Sequence, residues 1–553
     1  MKRTFNFRCV WCIALLLASL LLLGACASTE PPEVATETDA QTVSLETQVD
    51  LETDEAEIPA EENSETEQPA ETLPVTGAAT EETAEIPTEA DTEPATEAET
   101  ETETQGVDML YILEPGKSSS NFTVVYDMSL TSAPKAEADR INKGLEAVFD
   151  ARFRQVDAAI ESRKRETEII IGSVNREECV ELTASLAAGE YAVKVYPSEE
   201  EGKGRIVIAY TDLLSRTLAV ELFMTKCLDE LGGCLPMDFE ARGSTETDAE
   251  QGIIVADISK LRDPCILVVD SVYYAYGTSW KLFKNTSGDL SGPWVQIKNV
   301  VEVPEDVDTN KWAPEVHVYN GAYYMFTTYL SKTTGHRGCT IMKSDSPEGP
   351  FVEITDGHIT PKDWDSIDGT LYIDPDGQPW MVFVHEWTST KNSIGTFAAA
   401  KLSEDFTHFI SEPFEMFAAN EPSWATAQVT DGCWMYTTED GELLMIWSNF
   451  EPAGYTVAVS RSSNGRLDGE WIHDQALLYS YNYTGEYDGG HAMIFHDLNG
   501  QMYLSMHSPN TDTEARKATP TFIPIAEKDG TLVWTYIDAI RQNETITGTF
   551  SEE

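Results

Sequence analysis

Positive charge is scarce in this sequence. Its 553 residues include 37 Lys and Arg against 95 Asp and Glu, for a formal net charge of −58. That balance excludes the basic face on which nucleic-acid binding depends. The deficit is concentrated at one end. From Ala27 to Gly106 there are 25 Asp or Glu, no Lys or Arg and no aromatic residue. Such a stretch cannot bury enough apolar surface to offset its ordering entropy, so it is expected to be a disordered acidic linker. Like charge and proline extend it into a tether. The rest of the chain is only moderately acidic. Cysteine is sparse and dispersed: three of the nine lie within the first 26 residues, and the other six form no CxxC pair. This excludes a zinc site and a dense disulfide framework. Buried free thiols are the expectation for Cys179, Cys227, Cys234, Cys265, Cys339 and Cys433, with a Cys227–Cys234 bridge as an alternative.

One apolar run stands out, from Val10 to Leu23, preceded by Lys2, Arg3 and Arg8. It is too short for a structural membrane helix and has the layout of a secretory signal peptide. Its ending, Leu23-Gly24-Ala25-Cys26, resembles the lipobox of bacterial lipoproteins. The resemblance implies lipidation of Cys26 and a secreted protein anchored at the cell membrane, facing outside, with the lipid as its only membrane contact. A cleaved signal with an incidental Cys is the bland alternative.

The remainder divides in two. Residues 107–245 alternate apolar strands with amphipathic helices, one over Ala136–Arg152 and one over Leu213–Leu231 capped by Thr211 or Asp212. This is a small α/β domain. Its closing strand and helix are similar to those of the accessory domains that precede alpha-glucuronidases and hexosaminidases. No acids converge in it, which implies a structural role. Residues 250–545 carry a unit repeated five times, from Arg262, Trp312, Ile367, Val429 and Gly489. Each copy is an apolar strand, a tight turn and a second apolar strand. Asn320-Gly321, Asp376-Gly377, Asp440-Gly441 and Asn499-Gly500 supply positive φ for the turns. Hairpins recurring at that period predict a mainly β fold, a five-bladed β-propeller preceded by the α/β domain and the linker.

In a blade the first strand starts at the mouth of the central channel and its antiparallel partner ends there. Copy starts therefore place Asp263, Trp312, Asp368, Asp431 and His491 at one funnel, and copy ends place Glu386, Trp387, Trp447 and His507 there, with His385 beside them. Carboxylates, imidazoles and indoles make a poor core but a good site for a polar ring-shaped ligand. Paired carboxylates suggest glycoside hydrolysis, with one protonating the leaving oxygen and the other activating water. The aromatic residues of SGPW, EGPF and DGEW, in the outer parts of three blades, are read as packing between blades.

Arg262-Asp263-Pro264, WAPEVH, SIDGTLYIDPDGQPW and GGHAMIF, in this order over about 255–535, resemble glycoside hydrolase family 43. The resemblance implies an inverting enzyme that cleaves arabinofuranosyl or xylosyl linkages in arabinose- or xylose-containing plant polysaccharides. It implies Asp263 as general base, Asp368 as the carboxylate that orients the acid and raises its pKa, Trp312 as the funnel aromatic and His491 at the channel centre. In some members that His helps hold a water-coordinated structural ion such as calcium; no cofactor is required. His385, Trp387, Trp447, His491 and His507 are expected to line the substrate site. Trp387 and Trp447 have inter-blade packing as the alternative, and His491 a structural hydrogen bond. The family has Glu-Gly-Pro where this chain has Asp431-Gly432-Cys433. Two acids therefore compete: Asp431 by the family pattern, and Glu386 by topology and its longer side chain. The altered acid also leaves a second reading, a non-hydrolytic glycan-binding propeller serving a polysaccharide uptake system.

Overall fold

The computed structural model describes residues 108–129, 131, 133–510 and 518–550. The signal sequence, Cys26 and the linker lie outside the described residues. Among the described residues no helix is long and apolar enough to cross a membrane, and all six cysteines are free thiols. The alternative Cys227–Cys234 bridge is therefore not formed.

The α/β unit is built on a seven-stranded mixed sheet. Its order is Arg154–Asp157, Thr123–Tyr126, Glu168–Ile171, Gly204–Tyr210, Glu190–Pro197, Glu240–Ser244 and Thr545–Thr547. Alternation along the strands sorts side chains to two apolar layers. Val124, Ile169, Ile171, Ile206 and Ile208 belong to a layer with helices Ala133–Phe149 and Leu213–Leu222. Val125, Ile170, Val207 and Ala209 pack with Cys179 and Leu182 of helix Glu177–Ala184. Asp212 is the N-cap of Leu213–Leu222, in a reciprocal box with Ser215. The helix then continues as a wider-wound turn, Phe223–Glu230. The seventh strand was not anticipated. Thr545–Thr547 leaves the propeller region and pairs antiparallel with Glu240–Ser244, so the boundaries 107–245 and 250–545 understate how the two parts interleave.

The propeller has five four-stranded blades whose first strands are Cys265–Val269, Trp312–Tyr319, Ser366–Ile373, Asp431–Thr437 and Gly490–His496. The Asn320-Gly321 turn has φ +48° and +79° between Tyr319 and Ala322, as a tight hairpin requires. The ring is closed by the segment that enters the propeller: Ile254–Val255 pairs with the third strand of blade five, Thr519–Lys528. Trp294, Phe351 and Trp471 are buried, as expected for the aromatic residues of the outer strands.

Candidate active site

Four of the five first strands begin with the same irregularity. The register slips between Trp312 and Glu315, Ile367 and Thr370, Asp431 and Trp434, and Gly490 and Met493. At each slip one residue has positive φ: Ala313 (+41°), Asp368 (+56°), Gly432 (+51°) and His491 (+53°), with Asp263 (+55°) in the matching place in blade one. These are bulges, devices that re-aim a side chain out of the ladder. Here they bring Asp263, Asp368 and His491 together. The His491 Nδ1 lies 3.6 Å from Asp263 Oδ1 and 3.6 Å from Asp368 Oδ2.

The bulge amides are tied to the preceding blade. Ala313 N donates to Thr278 Oγ1 (3.1 Å), Asp368 N to Thr328 Oγ1 (3.0 Å), His491 N to Ser448 Oγ (2.8 Å) and Asp263 N to His507 Nδ1 (3.3 Å). Thr328, Ser448 and His507 pair with Trp312, Asp431 and Gly490 across their hairpins, and the corresponding residue in blade three is Val384. Valine cannot accept a hydrogen bond. The Gly432 amide instead donates to Asp368 Oδ2 at 2.9 Å. Gly432 also makes room: a Cβ there would lie 2.8 Å from His491 Cγ. Gly432, not Asp431, is thus the blade-four equivalent of Asp263 and Asp368. Asp431 sits one residue earlier, partly exposed, with Tyr455 Oη 3.0 Å from its Oδ2.

The three aspartates have different electrostatics. Burial acts to raise Asp263, but His491, His507 and Arg262 outweigh it and hold the carboxyl well below its usual range. The Thr278 hydroxyl also donates to its Oδ2. Asp431 is pushed up to about 7 by burial and by the charge of Asp368. Asp368 rises to about 6 through burial, against the pull of His491 and the Gly432 amide. His491 loses basicity to burial but gains more from Asp263, Asp368, Asp431 and Glu315, so it favours the imidazolium. The site therefore presents an ionised carboxylate and a protonated carboxyl on one channel near neutral pH, the division of labour that acid–base hydrolysis uses.

The remaining candidates fall in different places. Glu386 is on the rim, 2.5 Å from Arg337 Nε. Burial raises it to about 7 against that guanidinium. Glu386 and Asp431 thus lie in the same range and both stay candidates for the acid, with the guanidinium favouring the ionised form of Glu386. Trp312 is half-buried on the same rim, its ring 5.9 Å from the Arg337 guanidinium. Trp387 is exposed. His507 is buried behind Asp263, with Nδ1 3.2 Å from Oδ1. Two expectations are corrected. Trp447 is fully buried among Phe397, Phe417 and Trp424, donating to Ser460 Oγ at 2.8 Å; it precedes Ser448, and alternation turns it into the inter-blade core. His385 follows Val384 and is turned away for the same reason. It stacks on Trp364 at 3.8 Å and pairs with Glu415 at 3.0 Å.

Among the described residues no group of three or more His, Cys, Asp or Glu forms a ligand set for a metal. The buried Nε2 of His491 has no hydrogen-bond partner, which fits an ion held mainly through water rather than by a protein cage.

The model for glycosyl hydrolases family 43 matches residues 258–529. An endo-arabinase structure from Bacteroides thetaiotaomicron VPI-5482 is 35% identical, over 50% of this chain and 98% of that one, with a TM-score of 0.44. The chain belongs to glycosyl hydrolase family 43. Two curated relatives match over shorter spans. One, from Bacillus subtilis strain 168, is named extracellular endo-alpha-(1->5)-L-arabinanase 1; it is 25% identical over 26% of this chain and 49% of its own length. The other, from Emericella nidulans, is named probable arabinan endo-1,5-alpha-L-arabinosidase A; it is 27% identical over 23% of this chain and 42% of its own. The chain thus spans about half the length of these relatives or less.

Proposed function

We propose that this family 43 member is a glycoside hydrolase that cleaves arabinofuranosyl or xylosyl linkages of plant polysaccharides with inversion, and that α-1,5-arabinan is the first substrate to test. The observation that carries the reading is the convergence of Asp263 and Asp368 on His491, whose Nδ1 lies 3.6 Å from each carboxylate, with Asp431 adjoining them and shifted in the opposite direction to Asp263. Asp263 takes a proton from a water whose oxygen attacks the anomeric carbon. Asp431 gives its proton to the departing glycosidic oxygen as that bond breaks. Asp368 supplies the negative charge that keeps Asp431 protonated, and His491 balances Asp263 and Asp368. An ion in the channel would be held through its water shell and would favour the neutral imidazole, whose Nε2 could then accept from one of those waters. Inversion requires a carboxyl separation of roughly 6.5–9.5 Å to admit the water. The arabinan-directed names of the relatives support the choice of first substrate. The Leu23-Gly24-Ala25-Cys26 ending supports a lipid anchor that leaves the enzyme outside the membrane.

The test is product release by the full chain from arabinan, arabinoxylan and xylan, resolved by chain length. Oligosaccharides from arabinan are expected, and Asp263→Asn should abolish release while sparing binding. Glycan binding with no product from any polymer would favour the non-hydrolytic propeller, and a fully active Asp263→Asn would refute the base assignment.

A further inference from the structure

Asp431 is an unusual acid for this place, one methylene shorter than glutamate, and among the described residues its carboxyl has one hydrogen-bond partner, the Tyr455 hydroxyl at 3.0 Å. That tyrosine is firmly held. It is 3% exposed, and its ring lies 5.0 Å from Phe450 and 5.8 Å from His507 by centroids. Its amide donates to Asp488 Oδ2 at 3.2 Å. Gly490 makes space for it, since a Cβ there would meet Tyr455 Cε1 at 2.5 Å. A phenol this deeply buried stays protonated, and as donor to Asp431 Oδ2 it leaves Oδ1 to carry the acid proton.

We propose that Tyr455 is a positioning residue that fixes the plane of the Asp431 carboxyl and keeps its transferable proton on Oδ1. The carboxyl torsion of an aspartate is broad and roughly two-fold. Without the phenol, Asp431 would turn freely and carry its proton on either oxygen. A short side chain tolerates little of this, because a displacement of about 1 Å can cost on the order of 10²-fold in rate. The phenol also donates to the carboxylate left after proton transfer. This inference rests on the reading of Asp431 as the general acid.

The leaving group provides the test. Glycan hydrolysis expels a sugar alkoxide and needs the acid. The 4-nitrophenyl glycoside of the oligosaccharide that the wild type releases expels a stable phenolate and does not. Tyr455→Phe is expected to lose about 10- to 100-fold in kcat on glycan, a fraction of the roughly 10²–10⁴-fold that acid catalysis contributes. Its KM should be unchanged, and its rate on the aryl glycoside should stay close to wild type. Equal losses on both substrates, or no loss on glycan, would overturn the proposal. Asp431→Asn is the control and should show the same leaving-group pattern more strongly. If it does not, the acid assignment fails and the proposal with it. A wild type inactive on both substrates would refute the hydrolase reading itself. Should Tyr455→Phe be insoluble, a fluorotyrosine at 455 keeps the shape and changes the donor strength. It should then alter the glycan rate alone, and an unaltered glycan rate would equally overturn the proposal.

Discussion

At the scale of residues, the site separates two carboxyls of the same kind by their neighbours. Asp263 faces imidazoles and Arg262, whereas Asp431 faces Asp368 and a phenol. In the proposed reaction Asp263 works ionised as the base and Asp431 protonated as the acid. Because Asp263 lies well below its usual range and Asp431 near 7, kcat/KM is expected to hold through mildly acidic pH and to fall as pH rises through about 7. Removing the Asp368 charge lowers the cost of ionising Asp431. Asp368→Asn should therefore move the alkaline limb of that profile to lower pH as well as reduce the rate; a limb that stays in place would deny Asp368 this role. The sequence motifs pointed to Asp263, Asp368 and His491 because each lies at a strand start with a polar side chain at the bulge. Tyr455 and Arg337 gave no such signal. They sit on third strands, Gly454–Ser462 and Arg337–Ser344, which the repeat of strand pairs did not include.

At the scale of elements, the bulge explains both what the repeat revealed and where it slipped. Aligning copies by their acids sets Asp431 against Asp263 and Asp368, whereas aligning them by backbone sets Gly432 there. On the second strands side chains alternate between faces, and Trp447 and His385 leave the funnel because each lies one residue from Ser448 or Val384. Trp447→Ala is accordingly expected to cost about 3–5 kcal/mol of stability, read from urea unfolding, with KM little changed. Trp387→Ala should do the reverse, and a KM effect at Trp447 would restore it to the funnel. Blade three offers a sharper test. Its Val384 leaves the Gly432 amide to Asp368, where the neighbouring blades use a hydroxyl. Val384→Thr would give that amide a hydroxyl acceptor and release Asp368. A charge-assisted hydrogen bond contributes about 1.5–3 kcal/mol, so activity should fall roughly 10-fold or more. Burying the new hydroxyl should cost at most about 1–3 kcal/mol of stability, less where it bonds the amide. The pH profile should shift in the same direction as for Asp368→Asn, and unchanged kinetics would show that Asp368 does not answer to that amide.

At the scale of the molecule, the α/β unit is joined to the propeller by buried charge as well as by the returning strand. Glu221, on helix Leu213–Leu222, is 1% exposed. Its Oε1 accepts from Tyr483 Oη at 2.8 Å and from Leu477 N at 3.4 Å, and its Oε2 from Arg541 at 2.8 Å. Arg140 lies 3.7 Å from the same carboxylate and donates to the Gln475 carbonyl. Lys143 donates to the Ala425 carbonyl at 2.7 Å. The partners Leu477 and Tyr483 belong to the segment between blades four and five. That segment runs on to Asp488, which holds the Tyr455 and Asn510 amides. A sequence reading could not find this seam, because each charge looks like an ordinary surface residue until tertiary packing buries it. Truncating one partner of a buried pair leaves the other uncompensated, at about 3–5 kcal/mol. Glu221→Ala should lower the unfolding free energy of the whole chain by an amount in that range, read as a lower urea midpoint. The wild type should unfold in one transition, seen alike by far-ultraviolet circular dichroism and by activity, since neither part completes its own structure alone. Two separate wild-type transitions, or an unmoved midpoint in Glu221→Ala, would mean that the α/β unit is a passenger rather than part of the scaffold that holds the acid.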